Sequence, residues 1–186
     1  MIRNVMIDCG PLQGNRCAEW VETTGLSPSH RIGEVLGELL EQRGFSVTLA
    51  SHLPELTADG IERGAGRPAA CAYAAKCRGI DLLLRLWVCA SELPRDGTVK
   101  GVVYRRGSVS HGLSDAILSS VSGGSDLRSE GTRCSSHYLL LRRAPCHGVI
   151  LLLGLPFHRR ERLTDAEAKT YAALIANGIF ARCGQG

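Results

Sequence analysis

The stretch whose reading decides the fold is CHGVILLLGLPF, Cys146 to Phe157. Its centre, Val149 to Leu153, is five aliphatic residues in succession, the pattern of a strand buried on both faces of a sheet. Gly154 ends the run, and Pro156 cannot extend the ladder because it has no N–H to donate. In open α/β sheets the working residues stand outside the carboxyl ends of such central strands. Here that end carries no acid, no amide and no thiol.

Working outward, the remaining elements alternate. Ile2 to Asp8 reads as a short first strand that stops at Cys9-Gly10-Pro11. After a long loop to about Leu26, Ser27-Pro28 gives a helix start with Ser as N-cap and Pro in the first turn, although Ser29 could also begin it. Ile32, Val35, Leu36, Leu39 and Leu40 fall at helical spacing before Gly44, and Phe45 to Ala50 is the second strand. Leu53 to Pro68 reads as an irregular loop and Ala69 to Arg78 as an Ala-rich helix. Ile80 to Trp87 is a further apolar strand, with Arg85 as its anomaly, and residues 91 to 98 form a turn region. Lys100 to Arg105 is expected as a strand and Ser108 to Val121 as a helix. Ser122 to Ser136 is polar and Gly/Ser-rich and reads as a mobile segment. His137 to Arg142 and His147 to Leu153 are the last two strands. Thr164 to Arg182 is the final helix, opened by a Thr164/Glu167 capping box and striped by Ala168, Tyr171, Leu174, Ile175 and Ile179. The expected architecture is α/β, a mixed sheet of about six strands flanked by helices on both faces.

At 186 residues the chain fits one domain, 1–186, long enough to bury a core. Mean hydropathy of +0.01 argues against disorder, and the apolar runs are far too short for a membrane span. A soluble globular protein is expected. The net charge of +4 is spread over interspersed Lys and Arg (22) and Asp and Glu (18), with short clusters at Arg142-Arg143 and His158-Arg159-Arg160. Solvated faces explain that pattern, so neither a nucleic-acid nor a membrane partner is expected; an acidic partner at the Arg clusters is the alternative. The eight cysteines are scattered singly, several in apolar segments, and read as free thiols in a reducing compartment. With an N-terminus that starts directly as a strand, a cytoplasmic location is expected.

The order and wording of these segments resemble the zinc-dependent N-acetylmuramoyl-L-alanine amidases, the type 3 amidase domain of cell-wall hydrolases, from Ile7 to Ala181. The family's first strand ends in Asp-x-Gly-His, where this chain has Asp8-Cys9-Gly10-Pro11. Its "L-L-E-x-x-G" helix end and "x-V-x-L" strand match Leu39 to Gly44 and Val47 to Leu49. Its "A-D-L" strand ending in His-Ala-Asn lines up with Ile80 to Cys89, and its "G-x-x-x-Y" strand and serine-led helix with Gly101 to Leu118. The "L-R-x-x-x-x-P" motif falls near Leu141 to Pro145, and the Glu-bearing last strand on Ile150 to Leu155.

The resemblance implies a zinc ion held by two His and one Glu, with a further Glu handling protons. On this alignment the two His positions are Pro11 and Trp87, the ligand Glu falls within Gly25 to Ser29 where there is no acid, and the catalytic Glu position is Leu152 or Leu153. No catalytic residue, no metal and no cofactor are therefore expected. The implied function is an inactive amidase-like domain, kept as a protein-binding, regulatory or self-assembling structural subunit whose partner is a protein or another copy of itself. The alternative is a divergent peptidoglycan amide hydrolase with a rewired zinc site, for which Cys9, Cys89, His30 and His147, with Glu22, are the candidate ligands. A thiol nucleophile at Cys9 or Cys89 is a further enzyme reading, and a muropeptide fragment held without cleavage is a third. Beside these stand simpler readings: Trp87 fills a core or pocket or anchors a partner, Arg85 pairs with Asp8 or Asp81 or points into the former site, and His111 and His137 sit on surfaces.

Overall fold

The computed structural model describes residues 2–9, 27–53, 56, 66–88, 97–156 and 163–183. Six strands form one sheet: β1 (Asn4–Asp8), β2 (Ser46–Leu49), β3 (Leu82–Val88), β4 (Thr98–Val103), β5 (Arg128–Cys134) and β6 (His147–Gly154). Their order across the sheet is β2-β1-β3-β6-β4-β5. β1 pairs in parallel with β2 and β3, β3 with β6, and β4 with β5, while β4 runs antiparallel to β6. The quoted stretch is thus a central strand, and Val149 to Leu155 are all buried in it or just past its end. The expected mixed six-stranded α/β sheet is the fold observed.

Among the described residues five α-helices cover the two faces: α1 (Pro28–Glu41), α2 (Gly66–Cys77), α3 (Val109–Gly124), α4 (Leu139–Arg143) and α5 (Asp165–Cys183). Because successive strand residues point to opposite faces, the aliphatic run of β6 feeds two cores. Val149, Leu151 and Leu153 join Val5, Ile7, Leu84 and Leu86 beneath α1, α3 and α5. Ile150 and Leu152 join Met6, Leu83, Cys71, Ala74, Leu140 and Leu141 beneath α2 and α4. Each buried leucine contributes about 1.5–3 kcal/mol, which is why the sheet needs no alternation in its central strands.

Local chemistry sets the helix ends. Ser27 caps α1, its Oγ accepting from the His30 N–H, and Pro28 occupies the first turn, which settles the helix start in favour of Pro28. Ser108 caps α3 in the same way through the His111 N–H at 3.2 Å. The Thr164/Glu167 box opens α5, with Thr164 N–H to Glu167 Oε2 at 2.9 Å and Glu167 N–H to Thr164 Oγ1 at 3.2 Å. The α3 and α5 backbones meet at Gly178, where a Cβ would run into the Ile117 backbone.

Three expectations are corrected. Ser122 to Ser136 is not one irregular segment: α3 runs on to Gly124, and Arg128–Cys134 is an edge strand. It was illegible because six of its seven residues are exposed, so no apolar alternation marks it; only pairing with β4 makes it a strand. His137 to Arg142 is not a strand but holds the short helix α4, in which Leu140 and Leu141 are buried, and His137 is exposed just before it. A three-leucine run fits either period, and length alone misassigned it. Finally, α2 begins at Gly66, ahead of the expected Ala69, so that Arg67 and Pro68 lie in its first turn rather than in a loop. The smaller shift of β4, from Lys100–Arg105 to Thr98–Val103, follows from its pairing with β6. Of the turn region expected at 91 to 98, residues 91–96 lie outside the described residues and Thr98 belongs to β4.

Candidate functional site

At the carboxyl end of β3, Trp87 stands directly beside Leu152 of β6, and Leu152 in turn is the register partner of Lys100 on β4. Register partners share a face, so indole, isobutyl and ammonium side chains form one row on the α2/α4 side of the sheet. Lys100 Nζ pairs with Glu130 Oε2 of β5 at 3.2 Å, and Thr98 Oγ1 donates to Glu130 Oε1 at 3.1 Å, extending the row to the sheet edge. Trp87 is half-buried and packs against the same apolar cluster as Leu152. The row therefore runs from an aromatic surface through an aliphatic floor to an ion pair.

Register separates the two leucines considered for one position. Leu152 shares the face of Trp87, whereas Leu153 pairs with Val88 and is sealed in the opposite core. Ser29, in the first turn of α1, is buried and its Oγ accepts the Val88 N–H at 2.9 Å. That bond docks the start of α1 against the end of β3, so Ser29 reaches the same end of the sheet as Trp87.

The row nearer the strand centres is ionic. Asp8, with no exposed surface, receives Arg67 Nε at 3.2 Å and Arg67 Nη2 at 3.0 Å on Oδ1. Arg85 Nη1 lies 3.4 Å from Asp8 Oδ2, and the Cys71 thiol donates to the same oxygen at 3.5 Å. Arg67 also donates to the Leu56 carbonyl at 2.8 Å. The partner of the anomalous Arg85 is thus Asp8. Asp81 instead accepts the Arg3 and Asn4 N–H groups at 2.9 and 2.8 Å, and these two bonds hold its pKa below the ordinary value. Removing Asp8 would leave two guanidinium groups without their shared carboxylate, so this cluster ties the end of β1 to β3 and to the start of α2.

The proposed ligands are scattered. Cys9 lies on the α1 side, where a methyl on Gly33 would collide with its sulfur, and burial followed by the neighbouring Asp8 charge pushes its thiol strongly up. Burial likewise drives Cys71 up to about 12. Neither is a thiolate at neutral pH, which is the form that attacks carbonyls. His30 is held by Ser27 Oγ at 2.8 Å from its Nδ1, and burial, then the Arg67 charge, lowers its pKa so that it is neutral at pH 7. His147 opens β6 beside Leu82, at the other end of the sheet from Trp87. His111 pairs with Asp115 at 3.1 Å on α3, a surface role as expected. Pro11, Glu22 and Cys89 lie outside the described residues. Among the described residues no group of three His, Cys, Asp or Glu side chains is placed to hold a metal ion, and the side chains of Trp87 and Leu152 have no lone pair to offer one. The described donor set does not fit a zinc ion.

Lys100, Glu130 and Arg67 were not anticipated as neighbours of this site. For Glu130 no sequence signal existed, because its strand carries no periodicity; Arg67 was hidden by a helix start placed three residues too late.

A scan against protein-family models finds no match to the sequence, and a search of curated proteins finds none either. Solved structures do match in shape. The CwlD amidase of Clostridioides difficile, solved in complex with the GerS lipoprotein, superposes with a TM-score of 0.74 at 12% identity over 99% of this chain and 100% of that one. An N-acetylmuramoyl-L-alanine amidase of Clostridium difficile 630 gives 0.71 at 14% over 99% and 98%. The catalytic domain of CwlV, an N-acetylmuramoyl-L-alanine amidase from Bacillus (Paenibacillus) polymyxa var. colistinus, gives 0.68 at 15% over 97% of each. The chain therefore has the fold of the N-acetylmuramoyl-L-alanine amidases along its whole length, as its motif order implied.

Proposed function

We propose that this chain is an amidase-fold domain that binds rather than cuts, working as a regulatory or structural subunit through a protein partner or a second copy of itself. The observation that carries the reading is the register of Trp87 with Leu152 at the carboxyl end of the sheet. An aromatic side chain beside a buried aliphatic one makes a contact surface, and has no group to activate water or protonate a leaving amine. The one carboxylate at the end of β1, Asp8, is committed to Arg67 and Arg85. That the CwlD amidase was solved with a lipoprotein on it supports a protein partner for this fold. Free thiols at Cys9, Cys71, Cys77, Cys134, Cys146 and Cys183 support a reducing, cytoplasmic setting.

Two measurements test the reading together. Metal analysis of the purified protein is expected to give far less than one zinc per chain, and incubation with soluble muropeptides to release no peptide. Stoichiometric zinc accompanied by amide cleavage would overturn it in favour of a divergent hydrolase. Sedimentation of the native protein then separates self-association from a hetero-partner.

A further inference from the structure

The positive charge of this protein is not spread over it. Residues 98 to 147 hold seven of the 22 Lys and Arg and three of the 18 Asp and Glu, so the whole +4 sits in this segment and the charges elsewhere cancel. The three acids in the segment have partners within the fold: Asp115 with His111 and Thr132, Asp126 with the Tyr171 hydroxyl, and Glu130 with Lys100. Six arginines remain, Arg105, Arg106, Arg128, Arg133, Arg142 and Arg143, all exposed and none in an ion pair among the described residues.

Topology gathers them. β5 is the last strand of the sheet, so among the described residues one side of its backbone faces no other strand. Its bulge keeps Arg128, the partner of Thr98, and Arg133, the partner of Val102, on the same face. Val102 packs with Leu140 and Leu141, so this is the face that α4 covers and that carries Arg142 and Arg143 in its last turn. Arg105 and Arg106 follow the end of β4, where Tyr104 and Val109 are two of the three large apolar side chains exposed among the described residues, and the Arg105 guanidinium lies 5.5 Å from the Tyr104 ring centroid. Exposed Arg and Tyr together are the residue types enriched in protein interfaces.

We infer that the β5 edge is a docking strand for an acidic polypeptide segment, which adds to the sheet beside Arg128–Cys134 and sets its carboxylates against Arg128, Arg133, Arg142 and Arg143. A bare strand edge offers main-chain hydrogen bonds to any extended chain. The arginines select among chains: they repel a second β5, whose charges are the same, and attract a segment rich in Asp and Glu. Arg128 and Arg133 face Thr98 and Val102, four residues apart, and so lie about 13 Å apart along the strand, a span that several carboxylates on one face of an added strand can match. The inference does not depend on whether the Trp87 row cuts, binds or does neither.

The test uses the full chain and a fluorescein-labelled, Glu/Asp-rich peptide followed by anisotropy. Binding is expected to weaken at least tenfold between 50 and 300 mM salt, roughly what release of a few counter-ions gives, and to fall at least tenfold in Arg128→Glu/Arg133→Glu. Lys76→Glu/Lys169→Glu, which changes the net charge equally on exposed positions of α2 and α5, is expected to bind like wild type. Hydrogen exchange with bound peptide should protect amides within residues 128 to 134. Equal binding by both double variants, or protection confined elsewhere, overturns the inference. So does tighter binding of a single-stranded oligonucleotide or of phosphatidylglycerol vesicles, which would make the surface one for phosphate rather than for acidic protein.

Discussion

Strands β1, β3 and β6 lie under helices on both faces and bury nearly every side chain, whereas β5, two places along in the same sheet, leaves six of its seven residues exposed. The buried half is held by apolar transfer and by one desolvated ionic cluster. The edge strand β5 is held by main-chain pairing to β4, by Thr132 bridging Ser114 and Asp115, and by the Lys100–Glu130 pair. The same fold is thus strict where its core lies and permissive at its edge. A permissive edge is where charge can accumulate without cost to folding, and it is where this chain's net charge is found.

The contrast can be broken most forcefully at Asp8. Asp8→Ala leaves Arg67 and Arg85 without their shared carboxylate and is expected to cost about 3–5 kcal/mol in chemical denaturation; Arg85→Met, which keeps the Arg67–Asp8 pair, should cost clearly less. A loss below about 1 kcal/mol for Asp8→Ala would mean that the cluster is hydrated in solution.

Asp81 gives the next effect, also in the buried half. Its pKa is lowered by the Arg3 and Asn4 N–H groups, so its folded state binds a proton less readily than its unfolded state. That contribution is present above the ordinary carboxylate pKa near 3.8 and fades as pH falls through the lower folded value. Asp81→Ala should cost about 1.5 kcal/mol at pH 7 and flatten the stability profile below about pH 4. An unchanged profile would refute the assignment.

At the edge the effects shrink. Residue 131 is the extra residue that β5 inserts between its pairings with Val99 and Gly101, and it has a φ of 77°. Gly131→Ala forces a Cβ into that left-handed conformation and is expected to cost about 1 kcal/mol, read as a lower melting temperature. Smallest is Arg128→Glu/Arg133→Glu, expected to stay within about 0.5 kcal/mol of wild type in stability while losing the acidic peptide. A large destabilisation there would show that these arginines serve the fold and not a partner.

The sequence was most readable where burial is total. The run Val149 to Leu153 announced a central strand, and Ser27-Pro28 and Thr164/Glu167 announced helix starts, because each rests on contacts within a few residues. Motif order alone pointed to the amidase fold. Of the site, Trp87 and either Leu152 or Leu153 were legible as positions, and it is Leu152 that stands beside Trp87 in register. The ligand candidates were chosen by residue type and spacing, which cannot tell one end of a strand from the other; His147 lies at the wrong end for that reason.

By itself, then, the sequence determined which segments must be buried and in what order they follow, since hydrophobic periodicity and capping are local properties of the chain. Only the tertiary structure decided that Leu152 faces Trp87 while Leu153 does not, that Arg85 answers to Asp8, and that RSEGTRC is a strand at all. Those outcomes depend on the register between strands far apart in sequence, and a one-residue slip in register sends every side chain to the other face.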